Sequence, residues 1–231
     1  MLKLTPFLLA IAYALISYHF SAWRTKQQLD AQSQPLTDPA ITKLADRMAQ
    51  ALDLPSIRVH VFEVEPFNGL AAPDGRIFLT RGFLNRKMQG DVTAEELASV
   101  IAHELGHVAL GHMRRRMIDF TGQNAAVVML SAVLNRFLPG LGGWIAGLVS
   151  RVLMAHLSRR DEFEADAYAT ALLIKSGIGT APQKSLFAKL DHLTGLKGST
   201  PAWLLSHPAT ADRIAAITAN EARWTKAVQS P

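Results

Sequence analysis

A helix that must be buried yet carries three reactive polar side chains sets the tightest limit on how these 231 residues fold. It begins at Thr93. Glu96 stands three residues later, a capping-box pattern in which each residue satisfies a backbone donor of the first turn. Leu97, Val100, Ile101, Leu105 and Val108 recur at helical spacing and form a stripe for the core. The same helix contains His103-Glu104-Leu105-Gly106-His107. Histidines at i and i+4 lie on one face, about one turn apart, so both imidazoles can reach a single ion. Zinc favours imidazole nitrogen at ~2.0–2.1 Å, and a catalytic site leaves one position open for water. Zinc also brings the pKa of that water down to about 7. Glu104, beside the first histidine, is placed to accept the water proton and deliver it to a leaving amine. Gly106 is small where another element must come close.

A third ligand has to arrive from elsewhere. His112 lies nine residues beyond His103. The extended pattern H-E-x-x-H-x-x-G-x-x-H requires a glycine at position 110 and a histidine at position 113, where this chain has Leu110 and Met113. On a continuing helix His112 falls about 140° from His107, so it reads as a polar helix residue. A second strong helix, Ser158 to Lys175 with Gly177 closing it, offers better donors. Glu162 and Asp166 are i and i+4 and share a face. Glu162 would complete a two-histidine, one-glutamate set. Asp166 would accept a hydrogen bond from the outer nitrogen of a ligand histidine and fix its tautomer. Glu164 points about 200° away from Glu162 and is expected to be a surface charge at most.

The rest of the chain frames this pair of helices. Residues 24 to 38 are polar and read as a linker. Ile41 to Leu52 has helical periodicity, stopped by Pro55. Ile57 to Val64 is rich in β-branched residues and reads as a strand. Leu70 to Ala72 is a short apolar piece before the turn signal Pro73-Asp74-Gly75, and Ile77 to Thr80 reads as another strand. These predict a small antiparallel sheet with hairpin connections, in a mainly α domain. Residues 125 to 155 are apolar but broken by Asn135, Arg136, Pro139, Gly140, Gly142 and Gly143. They suit helices that pack on the core, cover the site or lie on a membrane surface, with a re-entrant hairpin as the alternative. Further helices are expected over 184–193 and 211–224.

Cysteine is absent, which excludes disulfides, thiolate metal sites and a cysteine nucleophile. The net charge of +5 would suit nucleic acid or an anionic membrane surface. Its arginine groups, 114–116 and 159–160, have no interleaved aromatics for base stacking, so no nucleic-acid partner is expected. Leu4 to Phe20 is mostly apolar and long enough to span a bilayer as a helix. The exit, Tyr18-His19-Phe20-Ser21-Ala22-Trp23, is a poor cleavage site. We therefore expect an uncleaved anchor over 1–23 with membrane lipid around it, a linker over 24–37 and one domain over 38–224. Lys3 on one side and Arg24 and Lys26 on the other leave its orientation nearly tied.

With these residues in view the chain resembles the HtpX-like and BepA-like zinc metallopeptidases, which include the CAAX prenyl protease. The resemblance rests on HELGH at 103–107, on Ser158 to Asp166 with Glu162 and Asp166 fitting E-x-x-x-D, and on His207-Pro208 followed by Arg213-Ile214. Asn68-Gly69-Leu70-Ala71 and Gly82-Phe83-Leu84 add to it. It covers roughly residues 38 to 218, and the ordered set is far more specific than HELGH alone. It implies a gluzincin-type fold with one zinc ion per chain and a small sheet beside the cleft. The edge strand there, Leu70, Ala71 and Ala72 in this chain, would bind substrate backbone by strand addition. His207 would approach the metal, stabilising the oxyanion or acting as a movable extra ligand. The implied function is a membrane-anchored endopeptidase acting on unfolded or misassembled envelope proteins. Its setting would be a bacterial-type inner membrane with the peptidase domain on the periplasmic side. The single expected span departs from the prenyl-protease and HtpX-type members, which have several, and is closer to the compact periplasmic or singly anchored members; no long C-terminal repeat extension is seen, and a prenyl-peptide substrate is in doubt. The alternative class is a non-catalytic, zinc-stabilised chaperone or adaptor that grips extended polypeptide through the same edge.

Overall fold

A computed structural model of the chain describes residues 26–72, 74–112, 141–194 and 211–229, together with residues 12, 16, 20, 23, 24, 115, 131 and 135–137. The elements in order are β1 (Ser33–Pro35), α1 (Pro39–Ala51), β2 (Val59–Phe62), β3 (Gly69–Ala71), β4 (Ile77–Thr80), α2 (Arg81–Met88), α3 (Ala94–Ala109), α4 (Gly142–Lys175), α5 (Ala181–Thr194) and α6 (Ala211–Gln229). The fold is mainly helical with one small sheet, an α+β arrangement.

Local chemistry explains most boundaries. Asp38 caps α1 by accepting from the amides of Ala40 and Ile41, and Pro39 occupies a first-turn position that has no intrahelical donor to lose. Ile41, Leu44, Ala45, Met48 and Ala49 form its buried face. On α3 the Thr93–Glu96 capping box is complete in both directions. On α4, Ala165, Ala169, Leu172 and Leu173 are buried at helical spacing, and Gly177, at φ 69°, ends the helix in the left-handed conformation glycine adopts without strain.

The sheet is mixed, which corrects the expected all-antiparallel one. Its order is β1-β2-β4-β3. β1 pairs antiparallel with β2, and β3 antiparallel with β4, but β2 and β4 run parallel. After β2 the chain crosses to the far position as β3, then turns at Asp74-Gly75 and returns through the slot between them. A parallel pair needs a connection of about a dozen residues, and 63–76 supply it. β4, the central strand, is buried along its whole length. β1 belongs to the stretch read as a linker, where Leu29 is buried against Ala72 and Phe78. Helix α2, which the sequence reading did not anticipate, leaves β4 with no intervening loop and buries Phe83 and Leu84. The second strong helix is longer than expected, 34 residues from Gly142.

Helix α3 runs through the middle of the molecule, against α1, α4, α5, β3 and β4. Every residue from Glu96 to His107 is buried, more than the single stripe expected. A cross-over with α4 at Gly106 permits this. A Cβ there would stand 3.0 Å from both the Cα and the carbonyl oxygen of Ala165, so the two backbones touch where a side chain would hold them apart. Among the described residues no helix is long and apolar enough to cross a membrane. Most of Leu4 to Phe20 lies outside the described residues.

Candidate metal centre

Buried polar groups need partners, and α3 buries Ser99, His103, Glu104 and His107 together. Ser99 donates to Glu96 O on its own helix at 2.7 Å, and the two histidines meet carboxylates of α4. The Nε2 atoms of His103 and His107 converge to 3.1 Å. Glu162 faces both, with Oε2 3.4 Å from His103 Nε2 and Oε1 3.5 Å from His107 Nε2. All three side chains are buried, and this group of donors could hold a metal ion.

The outer nitrogens keep the inner ones pointed inward. Nδ1 of His103 meets Asp166 Oδ1 at 3.0 Å. Asp166 is itself gripped by Arg213 of α6, whose Nε and Nη2 donate to its two oxygens at 2.6 and 2.9 Å. Arg213 is fully sheltered, stacks over Phe187 at 4.6 Å, and reaches Glu162 Oε2 at 3.4 Å. Burial would push the Asp166 carboxyl up, but Arg213 and His103 outweigh it and hold it below its usual range. Burial would likewise push the His103 imidazole down; the Asp166 and Glu162 carboxylates win and raise it to about 9. The carboxylates thus stabilise positive charge on His103, and Arg213 and His103 stabilise negative charge on Asp166.

His107 has a different support. Its Nδ1 lies 2.8 Å from Nδ1 of His112, and His112 Nε2 lies 3.2 Å from Glu164 Oε2. Glu164 receives Arg115 Nη1 and Arg160 Nε, each at 2.9 Å. Arg115, then Arg160 and His112, keep the Glu164 carboxyl at about 2 despite partial burial. Two expectations change here. His112 is a buried neighbour of His107, because α3 ends at Ala109 and Gly111, at φ 65°, turns the chain back, so the 140° offset of a continuing helix never applies. Glu164 does point away from the His103–His107 pair, but it is tied into this second network rather than being a plain surface charge. His112, Asp161 and Glu164 form a second group of metal-type donors.

The general-base candidate, Glu104, is buried between the histidines and the sheet. A Cβ on Gly69 would stand 2.5 Å from Val100 Cγ1 and 3.4 Å from Glu104 Oε1, so β3 lies directly against this part of α3. β3 is one of the two outer strands of the sheet. The Ala72 amide donates to Arg76 O and the Thr80 amide to Asn68 O, at 2.8 and 3.0 Å. Pairs in an antiparallel ladder alternate, so Leu70 also faces β4, while the backbone groups of Gly69 and Ala71 point to the open side. Of the three residues expected at the edge, Ala71 presents its backbone outward. His207 lies outside the described residues.

Arg213 is the residue whose role the sequence reading missed. Its signal was available: it is an arginine one turn before Ile217, on the face of α6 that is buried. A charge on an apolar stripe calls for a buried counter-charge.

The model of peptidase family M48 matches residues 35–221. The chain belongs to peptidase family M48. The chain is similar to the metalloprotease LoiP of Escherichia coli K12, 29% identical over 75% of this chain and 66% of LoiP. A protease HtpX homolog of Variovorax paradoxus is 27% identical over 90% of this chain and 81% of its own length. The protease HtpX of Pseudomonas paraeruginosa is 26% identical over 90% and 83%. The M48 match begins at Pro35, inside β1, and takes in both helices of the centre. An HtpX-like M48 metallopeptidase, a hydrolase of peptide bonds that works with a metal, is the class these findings give.

Proposed function

We propose that this chain is a membrane-anchored zinc endopeptidase in which His103, His107 and Glu162 hold one zinc ion. One observation carries the reading. Tetrahedral bonds of ~2.0–2.1 Å put ligand atoms about 3.3–3.4 Å apart. Here the two histidine nitrogens are 3.1 Å apart, and each has one oxygen of the Glu162 carboxylate within 3.4–3.5 Å, Oε2 for His103 and Oε1 for His107. Two imidazoles and one carboxylate leave a fourth position for substrate or water, as catalytic rather than structural sites do. When bound, zinc supplies Lewis acidity that acidifies water and polarises a carbonyl.

The protein supplies the rest. Glu104 accepts the proton of the attacking water and returns it to the leaving amine. Asp166 orients His103, and Arg213 orients Asp166. The open side of β3 accepts substrate as an added antiparallel strand through Gly69 and Ala71, which places a carbonyl beside Glu104. Such an edge reads backbone, so it selects segments that are already extended. That supports unfolded or misassembled proteins as substrates. His207 as an oxyanion donor or movable ligand rests on the resemblance alone. The anchor is supported by the Leu4–Phe20 composition and by Ile16, Phe20 and Trp23, which are helical and expose more than half of their surface. We place it in a bacterial-type inner membrane with the peptidase domain on the periplasmic side, after the compact members of the family.

Cleavage of unfolded casein by the detergent-solubilised full chain, with and without a chelator, tests the reading. Cleavage should be chelator-sensitive and should vanish in Glu104→Gln with zinc still bound. Substantial turnover by zinc-loaded Glu104→Gln sinks the mechanism. Casein binding without cleavage by the wild-type chain returns the adaptor reading. Carbonate extraction tests the anchor, which predicts that deletion of residues 1–23 releases most of the protein.

A further inference from the structure

The proposed zinc site has two histidine ligands, and only one is backed by a carboxylate directly. The other is backed by His112, which no part of the proposed chemistry uses. We propose that His112 and Glu164 form a relay that fixes His107 as a ligand: His107 Nδ1–H donates to His112 Nδ1, and His112 Nε2–H donates to Glu164. Hydrogen-bond accounting leads there. A neutral imidazole has one donor nitrogen and one acceptor nitrogen. If His107 Nε2 offers its lone pair inward, its proton sits on Nδ1. His112 Nδ1, 2.8 Å away, must then be the acceptor, which puts the His112 proton on Nε2, facing the carboxylate at 3.2 Å. One assignment satisfies all four nitrogens. Gly111 makes it possible by turning the chain so that His112 returns beneath its own helix. His112 is thus a positioning residue, acting through His107.

The same donors could be taken for a second cation site. Their partners argue against it. Arg115 lies 3.4 Å from Asp161 and 2.9 Å from Glu164, and Arg160 takes the other Glu164 oxygen. Two guanidinium groups already supply the positive charge a cation would bring.

The inference rests on the zinc reading, and zinc affinity of the full chain, measured by competition with a chromophoric chelator, separates the two. Wild type should bind one zinc and His103→Ala should lose it; if wild type binds none, the zinc reading fails. Given zinc binding, His112→Phe should weaken it about 10–100-fold, the usual cost of losing an orienting partner. His112→Asn should restore most of the affinity, because its side-chain oxygen stands at the δ position and can accept from His107. His112→Gln, longer and with its amide at the ε position, should not. A packing role would give the opposite ranking, since glutamine fills the space better. Glu164→Gln should weaken zinc a few-fold in the wild-type background and not at all in His112→Asn. Unchanged affinity in His112→Phe, rescue by glutamine instead of asparagine, or two zinc ions per wild-type chain with one lost in Glu164→Gln would each overturn the relay.

Discussion

The two sides of the metal centre are built differently. Behind His103 stand a buried carboxylate, then a buried arginine stacked on Phe187, each at most 3% exposed. Behind His107 stand a buried imidazole, then a carboxylate that is 29% exposed, then Arg160 at 70% exposure. A charge pair in the interior is screened little by salt, and breaking it strands the survivor. A pair at the surface is screened and worth much less. The His103 side therefore ties the centre to the stability of the fold, while the His107 side can be tuned without unfolding anything.

Four experiments bear on that contrast. Arg213→Leu should have the largest effect, since it leaves Asp166 buried without its counter-charge; losses in such cases run to about 3–5 kcal/mol. Thermal unfolding of the metal-free chain should show it, and a melting temperature within a degree or two of wild type would remove the structural half of the comparison. Asp166→Asn comes next. It keeps the shape but loses the charge on His103, and zinc affinity should fall about 10–100-fold. If it falls no further than in Glu164→Gln, the two sides are equivalent after all. Third, acid should separate them. Glu164 sits at about 2 in the folded chain against an ordinary value of 4.5. A lowered carboxyl contributes stability that is full above the unfolded value and lost as pH falls through the folded one. The contribution of Glu164 should therefore fade between about pH 4.5 and 2, and the Glu164→Gln chain should unfold less steeply than wild type across that window. The smallest effect is on salt. Raising sodium chloride to ~1 M shortens the screening length to about 3 Å, which should narrow the difference between wild type and Glu164→Gln and leave that for Asp166→Asn unchanged.

Sequence alone exposed the parts of the centre that obey helical geometry. The Thr93–Glu96 cap, the shared face of His103 and His107, and the pairing of Glu162 with Asp166 over Glu164 all follow from spacing, and the structure brings those side chains together. Where regular geometry stops, spacing no longer fixes neighbours. Gly111 ends the periodicity that was used to place His112. Arg213 is distant in the chain, and no local pattern says which carboxylate it will meet. The sheet shows the same division: composition points to strands over 57–64 and 77–80 and to a short apolar piece over 70–72, which overlap the observed strands at 59–62, 77–80 and 69–71. The insertion of β4 between β2 and β3 was not legible there, because pairing partners are chosen by the path of the intervening loop. β1 was hidden because three residues with a proline carry little strand signal.

The contact at Gly106 bears on which ion the centre accepts. The methyl group missing there lets α3 and α4 approach until Ala165 lies at 3.0 Å from the empty Cβ position. Ordinary contact begins near 3.4 Å, so an alanine would drive the helices apart by about 0.4 Å. The histidines ride on one helix and the glutamate on the other. Their separations of 3.4 and 3.5 Å would grow while the 3.1 Å between the two histidine nitrogens, both on α3, would not, so the three groups would fit the short bonds of zinc less well. With the proposed ligands, a single chemically inert backbone contact, beside His107 in the chain, would act as the gauge of ionic radius.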